Sequence, residues 1–352
     1  MAQRLKIRRR IDALFAFALV AFVPIGAAYA QSCRQSDGQP FAFTGLNPAI
    51  EGKLPLSGFK AGQVVEIDPV TMPAEDAREY IKALQDKGAR VSIYLVGGHC
   101  DKGRDCDALA KKQVKLGSTG SWNWDTTERR ILDVTHLAVK ERLAKGIVNG
   151  FMLGANYIRI DNLHHPAGST NPREPEEMRQ LIDLVQEIED QMRSDGTIPA
   201  DRVTGVVAHN NLVVWAGLIE GAKIRRPPAL LTSERTAQLA SGEAWSGDAK
   251  MKSGTLEPTE IAEIEAGRKL ALKLNVPYTI AEFRKNHDLA KRGKFYALPQ
   301  TFVEAAAALD GVTEVIVIPS EDHYIGRAEV VPGNGPRVMA GKAVLGKVSC
   351  AQ

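Results

Sequence analysis

Short apolar runs alternate with longer amphipathic runs along most of this chain. QVVEIDPV (63–70) reads as a strand. PAEDAREYIKALQDKG (73–88) reads as a helix, with Pro73 near its start and Gly88 after its end. RVSIYLVGG (90–98) is the next strand, followed by a cysteine-bearing loop and a short helix around 107–116. RILDV (130–134) is a third strand and THLAVKERLAKGIVNG (135–150) its helix; YIRIDN (157–162) is a fourth, with a helix over 174–196. VTGVVAHN (203–210), ALLTSE (229–234), PYTIAEF (277–283) and TEVIVIP (313–319) are strands five to eight, with helices over 212–226, 259–275 and 301–311. Eight such repeats predict an α/β chain folded as a (β/α)8 TIM barrel, one domain over residues 31–352. An open doubly wound sheet is the alternative. The glycine-rich phosphate loop that would favour it is missing, since neither GxGxxG nor GxxxxGK(S/T) occurs.

The first thirty residues fall outside this rhythm. RLKIRRR is basic, ALFAFALVAFVPIG is apolar over the length of a signal-peptide core, and AYA supplies small residues before a cut after Ala30. Residues 1–30 are therefore expected to be a secretory signal, which predicts a secreted or periplasmic protein with no membrane segment after cleavage. Composition changes meaning with this. The whole chain carries 45 Lys+Arg against 42 Asp+Glu, a net charge of +3. Without residues 1–30 the balance is 40 against 41, a net of −1. The basic character belongs to the leader, and a nucleic-acid partner, which needs a persistent basic face, is not expected. The exported context permits disulfides. Four cysteines allow three pairings; the economical one joins Cys100 to Cys106 and Cys33 to Cys350.

In a barrel of this class the C-terminal ends of the strands build the active site. Those ends carry Asp68, Gly97-Gly98-His99, Asp133, Asp161-Asn162, His209-Asn210-Asn211, Ser233-Glu234, Glu282 and Ser320-Glu321-Asp322. A ring rich in carboxylates and amides suits a polyhydroxylated substrate, and two facing carboxyls can hydrolyse a glycosidic bond. Each acid is also placed to cap a helix. For Asp133, before THLAVKE, cap and substrate contact stand level. Asp161 and Glu234 are each followed by a sizeable loop before the next helix, which weakens the capping reading for both. Asp68, Tyr94, Trp124, Asp133, Asn162, His164, Asn210, Asn211 and Glu282 are candidate substrate contacts.

The ordered segments VVEIDPV, VSIYLVGG, WNWDTTERRILDV, NGFMLGANYIRIDN, GVVAHNN and LLTSER, over roughly residues 60–240, resemble the endo-α-1,4-polygalactosaminidase family, glycoside hydrolase family 114. The resemblance implies a barrel hydrolase acting on an α-1,4-linked galactosamine-containing polysaccharide. It implies that Asp161, with Asn162 beside it, and Glu234 are the catalytic acids. It matches Asn210 or Asn211 to an amide after strand five, and Asp133 to the Leu-Asp of strand three. Where the family places a further Asp and an aromatic, this chain has Leu163, His164 and His165.

That departure keeps two other readings open. One is a carbohydrate-binding barrel without catalysis. The other is a metal-dependent hydrolase using His164 and His165 with Asp161 and His209. Strand one has EID where barrel metallohydrolases show HxH, so no metal and no cofactor is assigned. Trp122 and Trp124, in a Gly/Ser-flanked loop, are candidate sugar-stacking platforms, whereas Trp215 lies in an apolar helix stripe and belongs to the core. The expected partner is a polysaccharide or oligosaccharide substrate, bound by a monomer.

Overall fold

The structure is a computed structural model. It describes residues 42–44, 59, 63–69, 73–101, 106–112, 129–161, 175–234, 258–283, 285–288, 294–297, 300–318 and 329–336. Cys33, Cys350, Trp122, Trp124, Asn162, His164, His165 and residues 1–30 lie outside these, as does the side chain of Glu234.

The strands are β1 (Ala42–Thr44), β2 (Gln63–Ile67), β3 (Arg90–Val96), β4 (His99–Asp101), β5 (Arg129–Ile131), β6 (Tyr157–Asp161), β7 (Gly205–His209), β8 (Leu230–Glu234), β9 (Tyr278–Phe283), β10 (Lys285–Asp288), β11 (Lys294–Ala297), β12 (Glu314–Ile318) and β13 (Glu329–Pro332). The helices are α1 (Ala74–Asp86), α2 (Cys106–Lys111), α3 (Leu137–Leu153), α4 (Pro175–Ser194), α5 (Leu212–Glu220), α6 (Pro258–Leu274) and α7 (Gln300–Ala308). One sheet runs β1-β2-β3-β6-β7-β8-β9-β12-β13. Its first eight strands are mutually parallel, and β13 pairs antiparallel with β12. The sheet curls until Cα atoms of β1 lie within 8 Å of β12. This is the expected TIM barrel, with helices packed outside.

The described residues hold eight parallel strands, but not the expected eight. RILDV does not enter the barrel. Arg129–Ile131 instead pairs antiparallel with His99–Asp101 in a separate hairpin, and β6 lies directly beside β3. A barrel strand is buried on both faces and needs an apolar run; this one opens on two arginines. Its place in the count is taken by β1. The Cys100–Cys106 disulfide is present and closes the loop between β4 and α2, with both cysteines buried.

Strand alternation creates two apolar layers. Val65, Ile67, Val91, Ile93, Ile158, Ile160, Val206 and Leu231 face the helices in the larger core. Val64, Tyr157, Val207, Leu230, Ala281 and Ile316, each from a different strand, form the smaller cluster inside the barrel. Trp215 is fully buried in α5, as expected of a core residue. Helix α3 approaches the sheet so closely that a Cβ at Gly150 would come within 2.9 Å of Ile158. It ends on Gly154, whose φ of 106° is left-handed backbone that glycine adopts without steric cost. No described helix is long and apolar enough to cross a membrane.

Candidate functional site

Inside the barrel, the positions that continue the inner face of Val64, Tyr157 and Val207 are polar. They are Glu66 on β2, Tyr94 on β3, Arg159 and Asp161 on β6, His209 on β7 and Thr232 on β8. The register places Tyr94 beside Arg159, Val96 beside Asp161, and His209 beside Thr232. The apolar layer is thus the floor, and a polar layer rises from it to the C-terminal mouth.

Arg159 organises this layer. Its Nη1 donates to Glu66 Oε1 at 2.7 Å, and the two side chains are only 1% and 0% exposed. Its Nη2 lies 2.7 Å from His209 Nε2. The guanidinium also stands over the Tyr94 ring, 5.4 Å from its centroid. Arginine has only donors, so His209 Nε2 is the acceptor. Asn210 Nδ2 approaches the same nitrogen at 3.0 Å. His209 is then a neutral imidazole with its proton on Nδ1, which donates to Thr232 Oγ1 at 2.8 Å.

Asp161 ends β6 above this group. Its Oδ2 accepts from the Tyr94 hydroxyl at 2.9 Å, and its Oδ1 lies 3.4 Å from His209 Nε2. Burial alone would raise its carboxyl. The Arg159 charge and the Tyr94 hydroxyl favour the ionised form and hold it below the usual carboxylate range. Asp161 is therefore an anion at neutral pH, able to attack or to stabilise positive charge.

The turn after β7 brings Asn210 to this centre. Asn210 and Asn211 have φ of 50° and 51°, left-handed conformations that asparagine tolerates better than most residues. Asn211 makes no side-chain cap for α5. Glu263 of α6 does this instead, accepting from Leu212 N at 2.9 Å and Val213 N at 3.4 Å.

The remaining sequence-predicted residues fall in different places. Glu234 ends β8, level with Ala281 of β9, on the backbone alternation of Leu230 and Thr232. One strand, β7, separates it from Asp161. Asp68 follows β2 directly and is half-buried. Glu282 is buried, but its parity is that of Tyr278 and Ile280, which face the helices rather than the barrel interior. Asp133 is exposed and accepts from Thr135 N at 2.9 Å and Thr135 Oγ1 at 2.6 Å. It thereby shapes the turn into α3, whose cap is His136, with Nδ1 accepting from Ala138 N. Glu66, Arg159 and Thr232 escaped the sequence reading, and His209 entered it as a polar strand end and a candidate metal ligand, not as a partner of Arg159. The missed signal was a charge at an inward position of an otherwise apolar strand, in VVEI and in YIRI, where only an opposite charge on another strand makes burial tolerable.

No protein-family model and no curated protein matches the chain. Solved structures similar to it include carbohydrate-active hydrolases. In particular, it is similar to Ega3 of Aspergillus fumigatus, solved in complex with galactosamine, with TM-score 0.48 and 12% identity over 82% of this chain and 94% of that one. It is also similar to the glycoside hydrolase domain of PelA from Pseudomonas aeruginosa, with TM-score 0.47 and 14% identity over 84% of this chain and 99% of that one. For the trehalose-6-phosphate hydrolase TreA of Bacillus licheniformis the TM-score is 0.40, with 9% identity over 62% and 50%.

Proposed function

We propose that the protein is an exported glycoside hydrolase that cleaves an α-1,4-linked galactosamine-containing polysaccharide, with Asp161 and Glu234 as the working carboxylates. The observation that carries this reading is the Asp161 site. A carboxylate is held ionised at the C-terminal mouth of a barrel, and a second acid ends the next strand but one. In a glycosidase the ionised carboxylate is the nucleophile or the stabiliser of oxocarbenium charge, and its partner protonates the leaving oxygen. Asp161 takes the first role and Glu234 the second. Tyr94 orients the anion, and Tyr94 and Asn210 line the sugar site, with Asp68 and Asn211 at its rim. The identity of the sugar rests on the sequence resemblance of residues 60–240. A cationic polymer would be drawn to an acidic mouth, with an attraction that salt weakens.

The test is turnover of α-1,4-galactosamine oligomers by the wild type, by Asp161→Asn and by Glu234→Gln. The wild type cleaves, and each variant folds and loses about a hundredfold or more in kcat, the scale of acid–base catalysis. Binding without cleavage by the wild type makes the protein a carbohydrate-binding barrel. Activity abolished by a chelator and restored by zinc or manganese moves the chemistry to a metal.

A further inference from the structure

We propose that Glu66, Arg159 and His209 form a positioning string beneath the mouth that fixes the Asp161 carboxylate as the permanent anion of the site. The inference deepens the reading above, in which Asp161 is the ionised partner of the pair.

The argument starts from what stability alone does not require. Glu66 and Arg159 lie at inward positions, next along their strands from Val64 and Tyr157, members of an apolar cluster. Replacing a buried ion pair by apolar residues of similar volume is often neutral or stabilising, so packing does not call for this pair. Its geometry serves the residue two positions beyond Arg159. One arm of the guanidinium is taken by Glu66 and the other by His209, while the plane rests over Tyr94. Among the described residues, Tyr94 donates to Asp161 and His209 stands 3.4 Å from it. Arg159 therefore orients both flanks of the carboxylate while sharing its strand.

The same contacts restrict proton traffic. His209 Nε2 accepts from Arg159, and Nδ1 is committed to Thr232. For the ring to become an imidazolium, a donor would have to face the Arg159 donor at 2.7 Å. Among the described residues, the titratable and charged groups facing Asp161 are Tyr94 from β3, Arg159 from its own strand and His209 from β7, and Glu66 from β2 stands behind Arg159. Burial opposes the charge on Asp161, and the Arg159 charge and the Tyr94 hydroxyl favour it. Such a carboxylate keeps its charge while a sugar cation forms beside it, and it is a poor proton donor. The proton must come from a different residue, which is the role left to Glu234. Arg159 and His209 are positioning residues in this scheme, since they act through Asp161.

The experiment follows the Asp161 carboxyl directly. Aspartate carboxyl carbons are labelled with carbon-13, Asp161 is assigned by its disappearance in Asp161→Asn, and its titration is recorded in the full mature chain. The variants are the charge-neutral pair Glu66→Gln with Arg159→Met, and Arg159→Lys, which keeps a charge but cannot fork between Glu66 and His209. In the double variant the Asp161 midpoint rises by about one pH unit or more. The acid limb of kcat rises with it, and KM changes by less than about threefold, as expected where transition-state interactions are lost. In Arg159→Lys the midpoint stays near that of the wild type while kcat falls by about tenfold or more. An unchanged Asp161 titration in a folded double variant overturns the electrostatic half of the proposal, and wild-type kcat in Arg159→Lys overturns the positional half. Full activity in Asp161→Asn refutes the catalytic reading instead, and leaves the titration shift to be judged by itself.

Discussion

Glu263 shows how one carboxylate can serve a site that it does not enter. It reaches from α6 to the first turn of α5 and holds the two backbone N–H groups that follow Asn210 and Asn211. Burial raises its carboxyl, and the bonds from Leu212, Val213 and Ser233 only partly offset this. The folded state thus holds the Glu263 proton more tightly than the unfolded state does. Stability contributed by that proton is present below the ordinary glutamate value and is lost as pH rises toward the folded value, above which it changes no further. Glu263→Gln removes this loss and retains an acceptor oxygen. Its stability relative to the wild type, measured by urea unfolding, should therefore improve between pH 4 and pH 7. Glu263→Ala should cost about 1 kcal/mol, as other lost helix caps do. A Glu263→Gln difference that is equal at the two pH values would contradict the assignment. At this scale the sequence showed which acids end strands, but not which acid meets which donor.

Helix packing is the next scale up, and two glycines separate propensity from contact. Replacing a helical glycine by alanine stabilises by up to about 1 kcal/mol where the new methyl is free. Gly217 in α5 has open space around a built Cβ, so Gly217→Ala should raise stability by about that amount. Gly267 in α6 is different. A Cβ there would lie 2.6 Å from Tyr278 Cζ and 2.7 Å from Leu212 Cδ1. Tyr278 is pinned, because its hydroxyl donates to the buried Ser233 Oγ at 3.1 Å. Gly267→Ala should therefore destabilise by about 1–3 kcal/mol, the range of overpacked cores. Thermal unfolding of the two variants gives opposite signs if the close approach of α6 to β9 is real, and the same sign if it is not. The periodicity located both helices and gave no hint of which glycine was a contact.

At the scale of the whole molecule, closure depends on a strand of three residues. β1 pairs in parallel with β2, Ala42 opposite Gln63 and Thr44 opposite Val65, and lies within 8 Å of β12. Removing it strips the β2 edge of its partner and leaves a row of unpaired backbone groups. A chain begun after Thr44 should unfold at a temperature lower by at least about 2–4 °C, the effect of roughly 1 kcal/mol in a large domain. Calorimetry that finds the same midpoint as the intact chain would show that β1 adds nothing to closure.

The fold class was legible in the chain because barrel strands and their helices leave periodic apolar signals that need no knowledge of partners. Seven of the expected strands stand in the sheet, and the eighth, RILDV, misled because an apolar run of that length is shared by hairpins and barrel strands. β1 and β13 were missed for the opposite reason: an edge strand of three or four residues is too short to show a period. Of the site, the sequence by itself determined which acids and amides end the strands, and the resemblance selected Asp161 and Glu234 among them. Only the tertiary structure decided that Asp133 shapes a turn, that Glu282 shares the helix-facing side of β9, and that Glu66 is the counter-ion of Arg159 across 93 residues of chain. Those decisions depend on strand register and inward or outward parity, and a buried charge has meaning only through a partner brought beside it by the closed sheet.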